Sequence, residues 1–277
     1  MKDIYLITAS FAGEIKRDFK GYVEMAHRAG YSGLELFNCI YGGFSAKDLK
    51  AYLDDKNMRV ISAHVNVEDT ESQLDYLPET GCRFLVCPGL HIGSRDDAYR
   101  AAEQLNELGR KAKSVGLRYG YHNHNNDFDV YDGQTVIDIF LKNTDPELVT
   151  FELDAAWAWR AGVDAAEFVK KNAGRFDLIH VKETSRVLGP EDDFRKKFAG
   201  MPRDAEGRLV MTPEIKAFFD EHRKINCKLG DGIINMPALK AAADAQGVQA
   251  YIVEREYAYT GDNYTTILED RKYLSKL

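Results

Sequence analysis

Polar, amphipathic stretches alternate with short apolar runs along the chain, and a recurring junction joins them. In HRAG-YSGLELF, PETG-CRFLVC, SVGLRYGYH and AQGVQAYIVE a helical pattern ends on Gly, and a β-rich run follows within a few residues. Glycine after the last turn supplies the left-handed residue that stops a helix. The short apolar run after it reads as a buried strand. Asn57 in DDKN-MRVISAH is placed to do the same job as those glycines. Adding IYLITAS, LVTFELDAAW and FDLIHVKET gives eight strand candidates, at about 4–10, 33–38, 59–65, 83–88, 118–123, 149–155, 177–182 and 250–255.

Helical patterns fill the gaps: EIKRDFKGYVEMAHRAG, SAKDLKAYLDDK, DDAYRAAEQLNELGRKAKSVG, GQTVIDIFLKN, DAAEFVKKNAG, MPALKAAADAQG and the closing TTILEDRKYLSKL. ESQLDYLPET is a weaker helix, interrupted by Pro78. Strict alternation of strand and helix means parallel strands joined by crossovers. Eight such units in 277 residues predict an α/β fold of the (β/α)8 TIM-barrel type, one domain over 1–277. An open doubly wound sheet is the runner-up, but no GxGxxG or GxxxxGK[ST] follows the first strand. One connection breaks the rhythm: from Thr184 to Leu229 a charged stretch of about 46 residues separates strand seven from its helix, with a short helix predicted in TPEIKAFFDEHRK. A long insertion at about 184–229, leaving the carboxyl end of a strand, predicts a lid or an oligomer contact over the active-site face.

Composition changes this picture little. The chain is 44% hydrophobic and 29% charged, as soluble globular proteins are. No apolar run reaches the roughly 20 residues of a membrane span, and the start MKDIYLITASFAGEIK reads as a strand, not a signal peptide. The four cysteines, Cys39, Cys82, Cys87 and Cys227, have no CxxC spacing, which points to a reducing, cytoplasmic setting without a disulfide framework. A formal charge of −7 argues against a broad nucleic-acid surface.

The strand ends carry the chemistry. A barrel interior is filled by Val, Ile and Leu, and an unpaired buried charge is costly. Yet Glu35 lies in GLELF, His64 in VISAHV, and His122 and His124 in YGYHNHN. Glu152 and Asp154 lie in TFELDAAW, His180 and Lys182 in LIHVKE, and Glu254 and Glu256 in YIVEREY. Paired residues two apart share a face of their strand. Imidazoles and carboxylates converging on one barrel end fit a divalent cation such as Mn, Mg, Zn or Co, with Asp154, His180 and Glu254 as ligands. Lys182, two residues past a ligand, is placed to polarise a substrate oxygen or to pair with a carboxylate. Glu152 and Glu35 lie deeper, where a salt bridge to a neighbouring strand and a contact with substrate both stay open; Glu256 reads as a solvated residue beyond the rim.

At these residues the sequence resembles the sugar phosphate isomerase/epimerase superfamily of xylose-isomerase-like TIM barrels. The resemblance covers nearly the whole chain, through AGYSGLEL, YHNH, ELDAAWAWRAGVD, HVKE, LGDG and VERE in order. It implies one metal held by residues of strands five to eight, with Asp154, His180 and Glu254 as the last three ligands. Most members offer Glu on strand five, where this chain has His122. That position is a fourth ligand, and a departure from the family pattern. His124, His64, Trp157 and Lys182 resemble substrate-contacting positions. Endonuclease IV shares the fold, but its three-metal pattern needs His where Cys87 and Trp157 stand, so no nucleic-acid partner is expected.

The implied activity is a sugar isomerase or epimerase acting by proton abstraction next to a carbonyl. Glu254 is then ligand and base, His122 or His124 the partner on the opposite face, and Lys182 holds charge on an oxygen. The same residues support a lyase or dehydratase on a keto-sugar, keto-inositol or 3-keto-glycoside, and a non-catalytic sugar-binding barrel is a further alternative. A small carbohydrate is the expected partner, a homo-oligomer stays open, and LGDGIIN offers backbone amides to an anion or simply turns the chain. Phe11, Phe37, Tyr121 and Trp157 are candidates to line a sugar pocket.

Overall fold

The computed structural model describes residues 3–193, 197–204 and 209–277. All eight expected strands form: β1 (Ile4–Ile7), β2 (Gly33–Phe37), β3 (Arg59–His64), β4 (Phe84–Cys87), β5 (Arg118–His122), β6 (Val149–Asp154), β7 (Phe176–Val181) and β8 (Ala250–Val253). They pair in parallel and close into a barrel in the order β1-β8-β7-β6-β5-β4-β3-β2. Neighbours in sequence are therefore neighbours in space, which crossovers through helices produce.

The helices start and stop where local chemistry dictates. In α1 (Phe19–Arg28), α2 (Ala46–Asp54) and α3 (Arg95–Ser114), Asp18, Ser45 and Ser94 accept from the amides of Gly21, Asp48 and Asp97. Gly30, Gly81, Gly116 and Gly247 follow their helices at φ of 86°, 84°, 82° and 85°, and Asn57 does so at 54°. The left-handed stops read from the sequence are thus in place. Next come α4 (Val136–Asn143), α5 (Ala155–Arg160), α6 (Ala165–Lys171), α7 (Pro213–Lys224), α8 (Met236–Ala245) and α9 (Asn263–Leu274).

Three departures have local causes. The helix expected through EIKRDFK is split, because Asp18 caps a new helix instead of continuing the short one at Ala12–Ile15. ESQLDYLPET becomes a 3-10 turn, Val67–Gln73, and a short helix, Tyr76–Glu79, whose first turn tolerates Pro78. The unexpected helix is α5, which begins directly after Asp154 and is capped by it. Within the insertion at 184–229, α7 forms as expected behind its Thr212 cap, while 194–196 and 205–208 lie outside the described residues.

The two faces of the strands build two cores. Outward-facing Leu6, Leu36, Leu85, Tyr121, Leu153, Ile179 and Val253 belong to the large cluster under the helices. Inward-facing Tyr5, Ile7, Ile61, Phe84, Val86, Leu178, Ala250 and Ile252 form a small plug inside the barrel. Beyond that plug, toward the carboxyl ends of the strands, the interior is ionisable: Glu35, His64, His122, Glu152, Asp154 and His180 are all buried. No helix among the described residues is long and apolar enough to cross a membrane.

Candidate active site

Strand register assembles the cluster. His122 pairs with Glu152 across β5 and β6, and Asp154 pairs with His180 across β6 and β7. Glu254 follows β8 directly, its amide reaching the Val181 carbonyl at 3.4 Å. Four donor atoms, one each from His122, Asp154, His180 and Glu254, lie within 4.8 Å of one another. Atoms sharing one ion at bond lengths of about 2.0–2.2 Å are separated by roughly 3–4.4 Å, so this set is close to a ligand shell. Nδ1 of His180 is 3.2 Å from Oε2 of Glu254 and 4.0 Å from Oδ2 of Asp154, which is 4.0 Å from Nε2 of His122.

A second layer of carboxylates holds the two imidazoles. Nδ1 of His122 lies 3.1 Å from Oε2 of Glu152, and Nε2 of His180 lies 2.6 Å from Oε2 of Glu35. Each ring thereby presents its other nitrogen to the four-atom cluster, the arrangement that fixes tautomer and direction in metal-ligating histidines. Nε2 of His64 sits 2.6 Å from the same Glu152 oxygen, and the Ser62 hydroxyl donates to Oε1 of Glu35 at 2.6 Å. His64, His122, Glu152 and His180 also form a compact group. Its nitrogens and oxygens already meet one another, however, so the upper group is the better cation site.

Asp154 supplies the observation that tests a metal against these residues. One carboxylate oxygen accepts from the Trp157 amide at 2.8 Å and caps α5. The other, Oδ2, is buried with no hydrogen-bond partner among the described residues. A buried carboxylate oxygen left without a donor is unfavourable, and a cation at the cluster removes that cost. Burial raises the Asp154 carboxyl to about 6; Lys182 and His180 pull it down and Glu254 pushes it up. Burial and the neighbouring Glu35 raise Glu152 to about 7. Burial alone would raise Glu35 too, but the His64 and His180 rings outweigh it and hold that carboxyl at about 2. Burial, with His180 and His64 nearby, pushes His122 well below the usual imidazole range, which leaves a neutral ring able to ligate.

The open side of the cluster carries Lys182, Glu256, His124 and Trp157. Lys182 is 1% exposed, with its ammonium 2.5 Å from Glu256 and 3.3 Å from Oε1 of Glu254. Burial would discharge it, but Glu254, Glu256 and Asp154 more than compensate. The Trp157 ring lies 4.7 Å from that ammonium, 4.4 Å from the Arg160 guanidinium and 5.3 Å from the His124 ring. Burial lowers His124 to about 4. A cavity of about 430 Å³ opens here, bordered by His124, Trp157 and Glu256 from the barrel and by Phe218, Phe219 and His222 from α7. A second cavity, of about 490 Å³, reaches Glu254 from the β1 side past Phe11 and Arg17.

Several expectations change. Glu35 and Glu152, expected at the substrate, are fully buried against histidine rings, and His64 is 4% exposed against the same carboxylates. Glu256 is not a solvated rim residue, since it pairs with Lys182 and accepts from Asn226 at 2.8 Å. The amides of LGDGIIN hold an anion, but it is the chain's own Glu183, which accepts from Gly230 and Ile234 at 3.2 Å each. Gly232 is required there, because a Cβ would collide with the Thr184 carbonyl and the Glu183 carboxylate. Tyr121 turns outward and donates to Asp127, and Phe37 packs beside His64 inside the barrel. Of the four aromatic candidates, Trp157 borders the first cavity and Phe11 the second.

Sequence reading missed Arg160 and Asn226. Arg160 is buried, donates to Asn226 at 2.6 Å and to Thr184 at 3.3 Å, and so ties the insertion to the site. Arg160 stood in the quoted AAWAWRAG run, whereas nothing in the pattern around Asn226 marks it.

The comparisons with known proteins fit this geometry. An inosose dehydratase from Clostridium perfringens is 27% identical over 182 residues, a match covering 56% of this chain and 60% of that protein's length. An inosose dehydratase from Lacticaseibacillus casei is 24% identical over 285 residues, covering 92% of this chain and 88% of that protein. The crystal structure of a sugar phosphate isomerase/epimerase from Parabacteroides distasonis superposes with a TM-score of 0.76 at 25% identity, covering 99% of this chain and 93% of that one. The sequence model of the xylose isomerase-like TIM barrel family matches residues 23–277, and the chain belongs to that family.

Proposed function

We propose that the chain is a divalent-metal-dependent lyase that removes a proton next to the carbonyl of a keto-polyol or keto-sugar and expels an oxygen substituent from the next carbon. The observation that carries the metal is the buried, unpartnered Oδ2 of Asp154 facing His122, His180 and Glu254. A divalent ion held by those four residues would draw electron density from a substrate carbonyl oxygen and acidify the neighbouring C–H.

The arrangement of the side chains favours elimination over epimerisation. Glu254 and Lys182 stand side by side, 3.3 Å apart, between β7 and β8. Glu254 is the base, and the buried Lys182 ammonium gives a proton to the departing oxygen. A base and an acid on the same side suit elimination, where proton and oxygen leave from one face. Epimerisation needs two competent groups facing each other across the carbon. The other candidate groups are His122, turned toward the ligand cluster, and His124, whose ring lies 5.3 Å from that of Trp157 rather than beside Lys182 and Glu254 as a pair. The inosose dehydratase relatives favour the same choice, with an inosose-like ketone as substrate class. Epimerisation with His124 as the opposing group is the second reading, favoured by its place beside Trp157 at the cavity.

The test is incubation of Mn-loaded protein with inosose and a panel of ketoses in D2O. Expected are deuterium uptake at one carbon next to the carbonyl and growth of an unsaturated-ketone absorbance. Exchange with stereochemical inversion and no absorbance would select the epimerase. No exchange with any ketone by protein shown to carry its metal would overturn proton abstraction.

A further inference from the structure

The cavity between Trp157 and α7 is not explained by the reaction proposed above. Residues of the four-atom cluster do not border it; His124, Trp157 and Glu256 do, so it is a compartment beside the reacting centre. Its volume, about 430 Å³, falls in the range of roughly 300–1,000 Å³ typical of pockets that bury a drug-sized molecule.

The lining tells what would fill it. Its charged groups already have partners: Asp192 takes Arg186 and His222, Glu256 takes Lys182 and Asn226, and Arg160 takes Asn226 and Thr184. Asp127 accepts from Tyr121 and from the His124 amide. The apolar part of the lining is Leu90, Leu188, Phe218, Phe219, Ile225 and Trp157, beside the polar His91, His124, Asn125 and Asn126. The wall is also built in advance. The Leu188 amide bonds to the Arg160 carbonyl at 2.9 Å, and the Gly189 amide bonds to Asp192 at 2.8 Å. His222 lies 3.0 Å from Asp192, which joins α7 to the 186–192 turn. Four of these six apolar residues, Leu188, Phe218, Phe219 and Ile225, come from the insertion, the part of the chain a minimal barrel does not need.

We infer that the compartment receives an uncharged, apolar substituent of about the size of an aromatic ring, attached to the sugar or polyol that reacts at the cluster. The substrate is then a substituted keto-sugar rather than a free one. This inference rests on the proposed reaction only for the identity of the reacting ring.

Calorimetric titration of Mn-loaded protein with phenyl β-D-glucopyranoside and methyl β-D-glucopyranoside tests it, because neither compound can react. Burying one apolar ring is worth roughly 1.5–3 kcal/mol, so the phenyl compound should bind about tenfold or more tightly than the methyl one. Phe219→Ala and Leu188→Ala, on two separate wall segments, should each shrink that ratio severalfold. Equal affinities, no binding of the phenyl compound, or a ratio unmoved in both variants would overturn the inference. Loss of the deuterium uptake with the phenyl preference intact would instead sink the reaction and leave the compartment standing.

Discussion

At the scale of single residues, Asp154 divides its work between two oxygens, one capping α5 and one aimed at the cluster. Asp154→Ala should therefore lose stoichiometric divalent metal and also weaken the cap, by about 1 kcal/mol. Asp154→Asn keeps an oxygen for the cap and separates the two effects. Elemental analysis and a thermal melt read them independently, and full metal occupancy in both variants would refute the assignment. Glu152→Gln removes no ligand but changes what stands behind the His122, His64 and His180 rings, so metal should still bind, about 10–100-fold more weakly. Unchanged affinity in that variant would mean Glu152 does not position His122.

The same residues set a pH dependence. Metal binding requires the Asp154 carboxylate, and burial raises that group to about 6. Protons compete below that value, so affinity should rise as pH goes from about 5 to about 7. It should go on rising above that, because, against burial, Glu152 and Glu35 hold the His180 ring well above the usual imidazole range and it too must lose a proton to ligate. The sign for stability follows from linkage: a carboxyl raised in the fold favours the metal-free protein at low pH, and that contribution fades as pH rises through about 6. Stabilisation by added metal should accordingly be larger at pH 7.5 than at pH 5. Melting temperatures with Mn and with chelator, at both pH values, check this, and equal metal-induced shifts would contradict it.

Among the elements, the turn after strand seven is held by one carboxylate. Glu183 is fully buried and accepts from the amides of Thr184, Gly230 and Ile234. Glu183→Ala leaves these donors without an acceptor and should cost at least about 2 kcal/mol in urea unfolding. Hydrogen exchange should quicken at Gly230 and Ile234 first. Slow exchange at both amides in the variant would show that they have other partners. This contact also marks where sequence reading stops. LGDGIIN carries the composition of an anion-binding turn, and the anion comes from a residue about 47 positions earlier, a pairing that only the closed chain reveals. Strands and helix stops were legible because they depend on neighbours: Gly30, Gly81, Gly116, Gly247 and Asn57 each end a helix by their own backbone. Helix α5 was hidden, since AAWAWR has no polar face to give a period, and its cap is a residue already counted as a strand end.

For the whole molecule, the barrel brings distant positions to one end, and that explains which part of the site could be read from the chain. His122, Asp154, His180 and Glu254 recur at strand ends and were visible as polar residues in apolar runs. The division of the ionisable residues into a ligand layer and a supporting layer was not visible, because Glu35 on β2 meets His180 on β7 across the interior. Only closure creates that pair. A net charge of −7 places many carboxylates on the molecule, but the cation proposed at the cluster would be held mainly by buried groups, where charges are screened less than at the surface.

The central claim is that one divalent ion binds among His122, Asp154, His180 and Glu254. Its most direct test is calorimetric titration of Mn into chelator-stripped protein, beside a variant carrying both Asp154→Asn and His180→Gln. The account predicts one saturable site per chain in the unaltered protein and none in the double variant. Absence of a site in the first, or the same stoichiometry and affinity in both, would contradict it.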